Sequence, residues 1–366
     1  MSHQNLISKF FIDYLRKNFS EEEKHDYILN NPENFLIIRQ HNQFGDMLAS
    51  ISLFRAIKEK FPSSKITLIA SPENYFAVTK NSLIDYLFVF NKKKLFNIFY
   101  LLSLVKILRK EYDVAIVPAT VAISKTSCIL AAFSNSKMKI GPASLDNKEN
   151  NLSFLFNYRI NLNWKKNPDA HVSDFILDIV KPFGITTKNF RPHIEFSKED
   201  ENEVIKFISK MNLSDVEYLI GFHVGAGKPQ NRWALDKFIK LIYMLNEQYK
   251  IKIYFTGSSA DKNEISYIKK NLKIDAYYFL NRPISQLAAL ISKSDLFITN
   301  DTGVMHVAGA TDTPQISIFG PTNPFNWAPI GNEKYFIRKS ELISDVSVDD
   351  VFNICKSILE KRKKRI

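Results

Sequence analysis

Short β-branched and aromatic runs recur along the chain, each closed by a polar or glycine-bearing turn and followed by apolar residues at helical spacing. The sequence opens with an amphipathic helical pattern carrying Phe10, Phe11, Tyr14 and Leu15, then an acidic segment over 21–24 that also reads as helix; Asn30-Asn31-Pro32 ends it. The first strand is predicted at 35–38. A polar turn at 39–46, a helix from Met47 to Pro62 with Leu48, Ile51, Leu53, Phe54 and Ile57 on one face, and a strand at 66–69 complete a β-α-β unit. Strands at 86–90 and 114–118 follow, with a helix over 95–110 between them. Residues 134–164, rich in Asn, Ser and Lys, read as loops with a short hairpin. Residues 174–180 read as helix, stopped by Pro182-Phe183-Gly184, and the polar stretch 185–197 reads as a linker.

The second half repeats the alternation. It predicts a helix at 199–210, a strand at 218–223, a turn at 224–232, a helix at 233–249, a strand at 252–256, and helices from Asp261 and over 285–292. Residues 294–324 then form a compact β-α-β unit. Its first strand (Leu296, Phe297, Ile298) ends in Thr299-Asn300-Asp301-Thr302-Gly303, its helix runs through Met305, His306, Ala308 and Ala310, and its second strand at 316–319 is closed by Gly320-Pro321. A last helical pattern spans 348–362. The alternation predicts an α/β fold of two doubly wound domains facing a central cleft. The N-terminal domain covers 1–185 and the C-terminal domain 196–345, while 346–366 forms a helix that packs back on the N-terminal domain.

Length agrees with two domains, because 366 residues exceed one ordinary core. No apolar run is long enough to span a bilayer and the N-terminus lacks a signal-peptide cleavage site, so a cytoplasmic protein is expected. Cys128 and Cys355 stand far apart without metal-ligand spacing and are expected to be reduced. The net charge of +12 favours acidic partners. Nucleic acid is disfavoured, for no helix-turn-helix, zinc-finger or basic-aromatic single-strand signature occurs. Two segments suit an anionic membrane surface, the basic run 361–365 and the apolar, basic-ended stretch 92–110. A solvated helix end and an ordinary crossover helix are the readings adopted for them.

Three strand-to-helix turns carry candidate chemistry, since ligands of open α/β sheets bind at the carboxyl ends of strands. Gly225-Ala226-Gly227 fails the dinucleotide fingerprint, having Gln230 at the third glycine position. Glycines followed by Lys228 and Arg232 still make a diphosphate cradle, where oxygens approach the backbone and cations offset their charge. Asp301, Thr302 and Gly303, with His306 one turn on, form a second anion-binding turn; a helix cap and a core histidine are the plain alternative. Gly45-Asp46 is the third. A carboxylate there either complements a helix dipole or acts as a general base, and Arg39, His41 and Gln43 in the same turn could orient an acceptor.

These turns lie in FGDMLASISLFRAIKEKFP (44–62), HVGAGKPQNRWALDKF (223–238) and NDTGVMHVAGATDTPQISIFGPTNP (300–324), with EYDVAIVP (111–118) as a weaker fourth segment. Together they resemble glycosyltransferase family 9, the group of ADP-heptose:lipopolysaccharide heptosyltransferases. The resemblance implies a GT-B fold of two Rossmann-like domains, an N-terminal acceptor domain, a C-terminal nucleotide-sugar domain, and inverting transfer without a metal or other cofactor. Asp46 matches the catalytic aspartate. Asp301, Thr302, Gly303 and His306 match the nucleotide and diphosphate segment, and Gly225 and Ala226 the first phosphate turn. Where the family has a lysine this chain has Asn231, so Lys228 or Arg232 is expected to supply that charge. The acidic residue expected after the next strand is also displaced, since Gly257-Ser258-Ser259-Ala260 offers none before Asp261.

The expected function is heptose transfer from ADP-heptose to a lipopolysaccharide core or related surface glycan, by a protein peripheral at the inner face of the inner membrane. The alternatives are a GT-B transferase using another nucleotide sugar, a nucleotide-sugar epimerase or hydrolase, and a catalytically silent nucleotide-binding protein of the same fold.

Overall fold

The structure is a computed structural model that describes residues 3–40, 43–214 and 217–362, with side chains described from residue 10 onward. Two compact units divide the chain, Met1–Phe190 and Arg191–Ile366.

The first unit begins with helix α1 (His3–Phe19) and builds a sheet from β1 (Asn34–Arg39), β2 (Lys65–Ala70), β3 (Tyr86–Val89), β4 (Tyr112–Ile116), β5 (Ser136–Leu145), β6 (Lys148–Glu149) and β7 (Tyr158–Leu162). Its order is β3-β2-β1-β4-β5-β6, with β7 paired to β5; only β5 and β6 run antiparallel to each other. Helices α2 (Phe44–Ala49), α3 (Ile51–Lys60), α4 (Ile98–Arg109), α5 (Lys125–Ala132) and α6 (Val172–Phe175) connect the strands. Alternate residues of β1 are buried on both faces, as a parallel strand between helix layers requires: Leu36 and Ile38 share one core cluster with Leu104, Ile107 and Leu108 of α4 and with Leu15 of α1.

The second unit contains α7 (Lys198–Ser209), α8 (Leu235–Gln248), α9 (Lys262–Asn271), α10 (Ile284–Ser292), α11 (Gly303–Gly309), α12 (Pro324–Trp327) and α13 (Val348–Lys361). Its strands are β8 (Tyr218–His223), β9 (Ile251–Gly257), β10 (Tyr277–Leu280), β11 (Leu296–Asn300), β12 (Gln315–Ile318) and β13 (Lys334–Ile337). They lie parallel in the order β10-β9-β8-β11-β12-β13, the doubly wound 3-2-1-4-5-6 arrangement. Strand order reverses between β8 and β11 here, and between β1 and β4 in the first sheet. Those are the switch points at which βα turns diverge and leave room for a ligand.

Several expectations need correction. Residues 20–33 are not helical: the Glu21 and Lys24 amides donate to the Phe154 and Asn157 carbonyls, and Glu21 pairs with Lys139 and Glu23 with Arg159. These acids are spent on tertiary ion pairs, not on a helix turn. Residues 134–164, expected as loops with a short hairpin, do contain that hairpin, β5 with β6, but β5 also runs parallel to β4 and β7, and the polar residues of β5 and β7 hide their period. β10 and β13, four residues each, were not read. The closing helix α13, expected on the first domain, spends its apolar face inside the second unit. Val351, Phe352, Cys355, Ile358 and Leu359 join the core of the second unit with Phe238, Leu241 and Ile242 of α8. Ser347 and Asp350 close a capping box that starts it. Among the described residues no helix is long and apolar enough to cross a membrane. Both cysteines are buried free thiols, and burial pushes Cys128 up to about 12.

Candidate functional site

In the first unit the site is built from the ends of β1 and β4. Arg39 closes β1 with its side chain turned inward, 2% exposed, and Asp46 on α2 is fully buried. The residues that follow β4 bring Pro118 and Thr120 to the same place. The Thr120 hydroxyl donates to Asp46 Oδ1 at 2.6 Å and accepts from Arg39 Nη2 at 2.7 Å, while Arg39 Nη1 donates to the Pro118 carbonyl at 3.1 Å. Arg39 Nη2 also lies 3.3 Å from Asp46 Oδ1 as a buried ion pair. Burial pushes the guanidinium below its ordinary pKa, opposed by the Asp46 charge. Two donors converging on one oxygen fix the carboxylate's orientation. Thr120 is itself pinned, for Trp164 Nε1 donates to its carbonyl at 2.8 Å and the indole stacks on Phe175 at 3.8 Å.

This geometry separates residues that the sequence grouped. Arg39 lies against Asp46 and its guanidinium is engaged by Asp46, Thr120 and the Pro118 carbonyl. Gln43 is exposed at the start of α2, with extended backbone and no side-chain cap bond. His41 lies outside the described residues. Thr120 was not anticipated. The signal was its place just after the predicted strand 114–118, which becomes informative only once β4 is known to lie beside β1.

In the second unit the turns after β8 and β11 are joined by two asparagines. Asn300, fully buried, donates through Nδ2 to the carbonyls of Val224 at 2.9 Å and Gly225 at 3.3 Å, and accepts from the Trp233 amide at 3.1 Å. Asn231 Nδ2 donates to Asp301 Oδ2 at 2.8 Å. Burial pushes the Asp301 carboxyl above its ordinary pKa, opposed by a hydrogen bond from Thr322 and by the charge of Lys228. The Thr302 side chain makes no cap bond, and Asp301 spends its carboxylate on Asn231 and Thr322. The plain cap reading therefore fails for both. His306 is half-buried, its ring edge-on to Trp327 at 6.4 Å.

Gly225 answers to a constraint of its own. A Cβ there would sit 2.0 Å from Oδ1 of Asp261, so only glycine allows the two turns to meet. Asp261, the acid displaced from its expected position, is thus placed against the turn after β8, where its other oxygen accepts from the amide and hydroxyl of Ser258. Ala226 is buried and its carbonyl accepts from Arg232 Nε at 2.8 Å, while Arg232 Nη1 pairs with Glu264 at 2.6 Å. Arg232 is therefore committed within the protein. Lys228, Gly227 and Gly303 are exposed. Among the described residues no group of three or more His, Cys, Asp or Glu could hold a metal ion.

Known proteins share this architecture. The chain is 25% identical over 303 residues to lipopolysaccharide heptosyltransferase 3 of Escherichia coli (strain K12), covering 78% of this chain and 82% of that protein. A glycosyltransferase family 9 structure from Veillonella parvula superposes with a TM-score of 0.77 at 20% identity, over 93% of this chain and 100% of the other. The structure of E. coli ADP-heptose lps heptosyltransferase II gives 0.72 at 19% identity, over 89% and 99%. The two doubly wound units are thus those of the GT-B class. Residues 101–349, more than half of the chain and including both turns of the second unit, match the model of glycosyltransferase family 9 (heptosyltransferase), and the chain belongs to that family of sugar-transferring enzymes.

Proposed function

We propose that the protein transfers a heptose, with inversion and without a metal, from ADP-heptose to a lipopolysaccharide core or related surface glycan. The first unit takes the acceptor and the second the donor. Asp46 removes the proton of the acceptor hydroxyl as that oxygen attacks the anomeric carbon; the bond from this carbon to the diphosphate oxygen breaks and ADP leaves. The turns at 225–228 and 301–303 hold the diphosphate, and Lys228 offsets its growing charge. Arg39 and Thr120 act through Asp46 as positioning residues. The acceptor resides in a membrane, so the protein works at the inner face of the inner membrane.

The observation that carries this reading is the buried carboxylate at the switch point of the first sheet, held by Thr120 at 2.6 Å. The relatives named above supply donor and acceptor class. The test is a transfer assay with ADP-heptose and delipidated core glycan, beside thermal-shift screening against ADP, UDP, GDP and CDP. ADP is expected to stabilise the protein most, and Asp46→Asn to lower turnover by about 10²- to 10⁴-fold while ADP binding persists. Near-normal turnover of Asp46→Asn would remove the base assignment. Stabilisation by none of the nucleotides would remove the donor assignment, and donor consumption without acceptor would indicate a hydrolase.

A further inference from the structure

The crossover segment between β3 and β4 was read as an ordinary helix packed on its sheet. Only its second half behaves so. Leu104, Ile107 and Leu108 of α4 are buried in the core cluster of the first unit, and Tyr100, half-buried, donates to the Val89 carbonyl at 2.9 Å. These residues form the stripe i, i+4, i+7, i+8 that a sheet-packed helix needs.

A second stripe faces outward and is apolar where a solvated helix would be polar. Phe96 is 100% exposed, Phe99 78%, and Ile98 and Leu102 58% each, with Leu95 and Leu101 also exposed. Lys92, Lys93 and Lys94 precede it, and Lys106, Arg109 and Lys110 complete it. Residues 92–110 contain no Asp or Glu. α1 packs on the same core cluster as α4, on the same face of the sheet, and exposes Phe10, Phe11 and Tyr14 as well. Solvation alone does not account for a cluster of bare aromatic and aliphatic side chains ringed by cations.

We propose that this face, centred on Phe96 and Phe99, docks the first unit on an anionic phospholipid surface. The phenylalanines and leucines enter the boundary between headgroups and acyl chains while the six cations neutralise headgroup phosphates. The charge pattern selects this occupant over a second copy of the chain. A self-complementary dimer across this face would set one set of cations against the same set on its partner, with no acid between residues 92 and 110 to relieve it. Docking adds an attachment surface to the function proposed above, and its test requires no sugar transfer.

The full-length protein is floated with vesicles of phosphatidylcholine alone or with phosphatidylglycerol at about one lipid in three. Wild type is expected to partition into the anionic vesicles at least about tenfold more strongly than into neutral ones, and to lose most of that preference at high salt. Phe96→Ser with Phe99→Ser is expected to lower binding at least about tenfold, and Lys92→Gln, Lys93→Gln and Lys94→Gln together roughly a hundredfold. Unchanged melting temperature and ADP binding in these variants exclude misfolding, since the replaced side chains are exposed. The proposal is overturned if wild type ignores anionic vesicles, if the variants float as wild type does, or if sedimentation velocity shows self-association that the Phe96 and Phe99 changes abolish.

Discussion

The two switch points share a topology and differ in what they bury. In the first unit the inward-facing group is a charge, the Asp46 carboxylate, oriented by Thr120 and paired with an arginine that is 2% exposed. In the second unit two neutral amides do the joining: Asn300 ties the backbone of two turns together and Asn231 holds the partly buried Asp301 carboxylate, while Lys228, Gly227 and Gly303 stay exposed. The same frame thus fixes one carboxylate in one case and a shaped pair of turns in the other. The two arginines follow suit, since Arg39 sits in a dry pair with Asp46, whereas Arg232 shares a half-exposed pair with Glu264.

The largest effect is expected from breaking the dry pair. Arg39→Met removes one partner of a buried ion pair and should cost about 3 to 5 kcal/mol of stability in denaturant unfolding. Arg232→Met, whose pair is partly solvated, should cost no more than about 1 kcal/mol. Comparable losses would mean that the two pairs are not electrostatically different. Next comes Asn300→Ala, which strands the Trp233 amide and the Val224 carbonyl; roughly 2 to 3 kcal/mol is expected, with loss of ADP binding, measured by thermal unfolding and calorimetry. Thr120→Val should lower kcat about tenfold with ADP affinity intact. An unchanged kcat would mean that Thr120 does not orient Asp46. Lys228→Ala should weaken ADP binding about tenfold.

A pH-dependent effect concerns Lys334, whose ammonium donates to the carbonyls of Ala308 at 2.8 Å and Thr313 at 2.5 Å. Burial, reinforced by Arg191, pulls its pKa down to about 7 from 10.5. Between those values the unfolded chain binds a proton that the folded one lacks, so stability should rise as pH rises from 7 toward 10.5 and be flat in this group below 7. Melting temperatures of wild type and Lys334→Met at pH 7 and 9 should reveal this as a slope present only in the wild type, worth a few degrees. Equal slopes would mean that Lys334 stays charged throughout.

Much of the site was legible because each candidate lies where an apolar run stops and a helix period begins, a purely local signal. Asp46, Gly225 and Asp301 were singled out as candidates in this way. Thr120 and Glu264 were not, since their roles depend on strand neighbours distant in sequence: β4 beside β1 brings Thr120 to Asp46, and the helix after β9 brings Glu264 to Arg232. Strands β5 and β7 escaped because their polar and small residues mask a strand period although β5 lies inside the sheet, and the acidic segment 21–24 misled because composition cannot reveal that Glu21 and Glu23 are paired with Lys139 and Arg159.

By itself the sequence determined two doubly wound halves, three candidate turns at the ends of strands, and a family resemblance, because periodicity and turn composition are local properties of the chain. Only the tertiary structure decided that Arg39 serves Asp46, that Gly225 must be glycine to admit Asp261, that α13 closes the second core, and that half of α4 leaves its apolar side bare. Each of these depends on which surfaces meet, and burial and pairing between distant segments are set by packing, which no local pattern encodes.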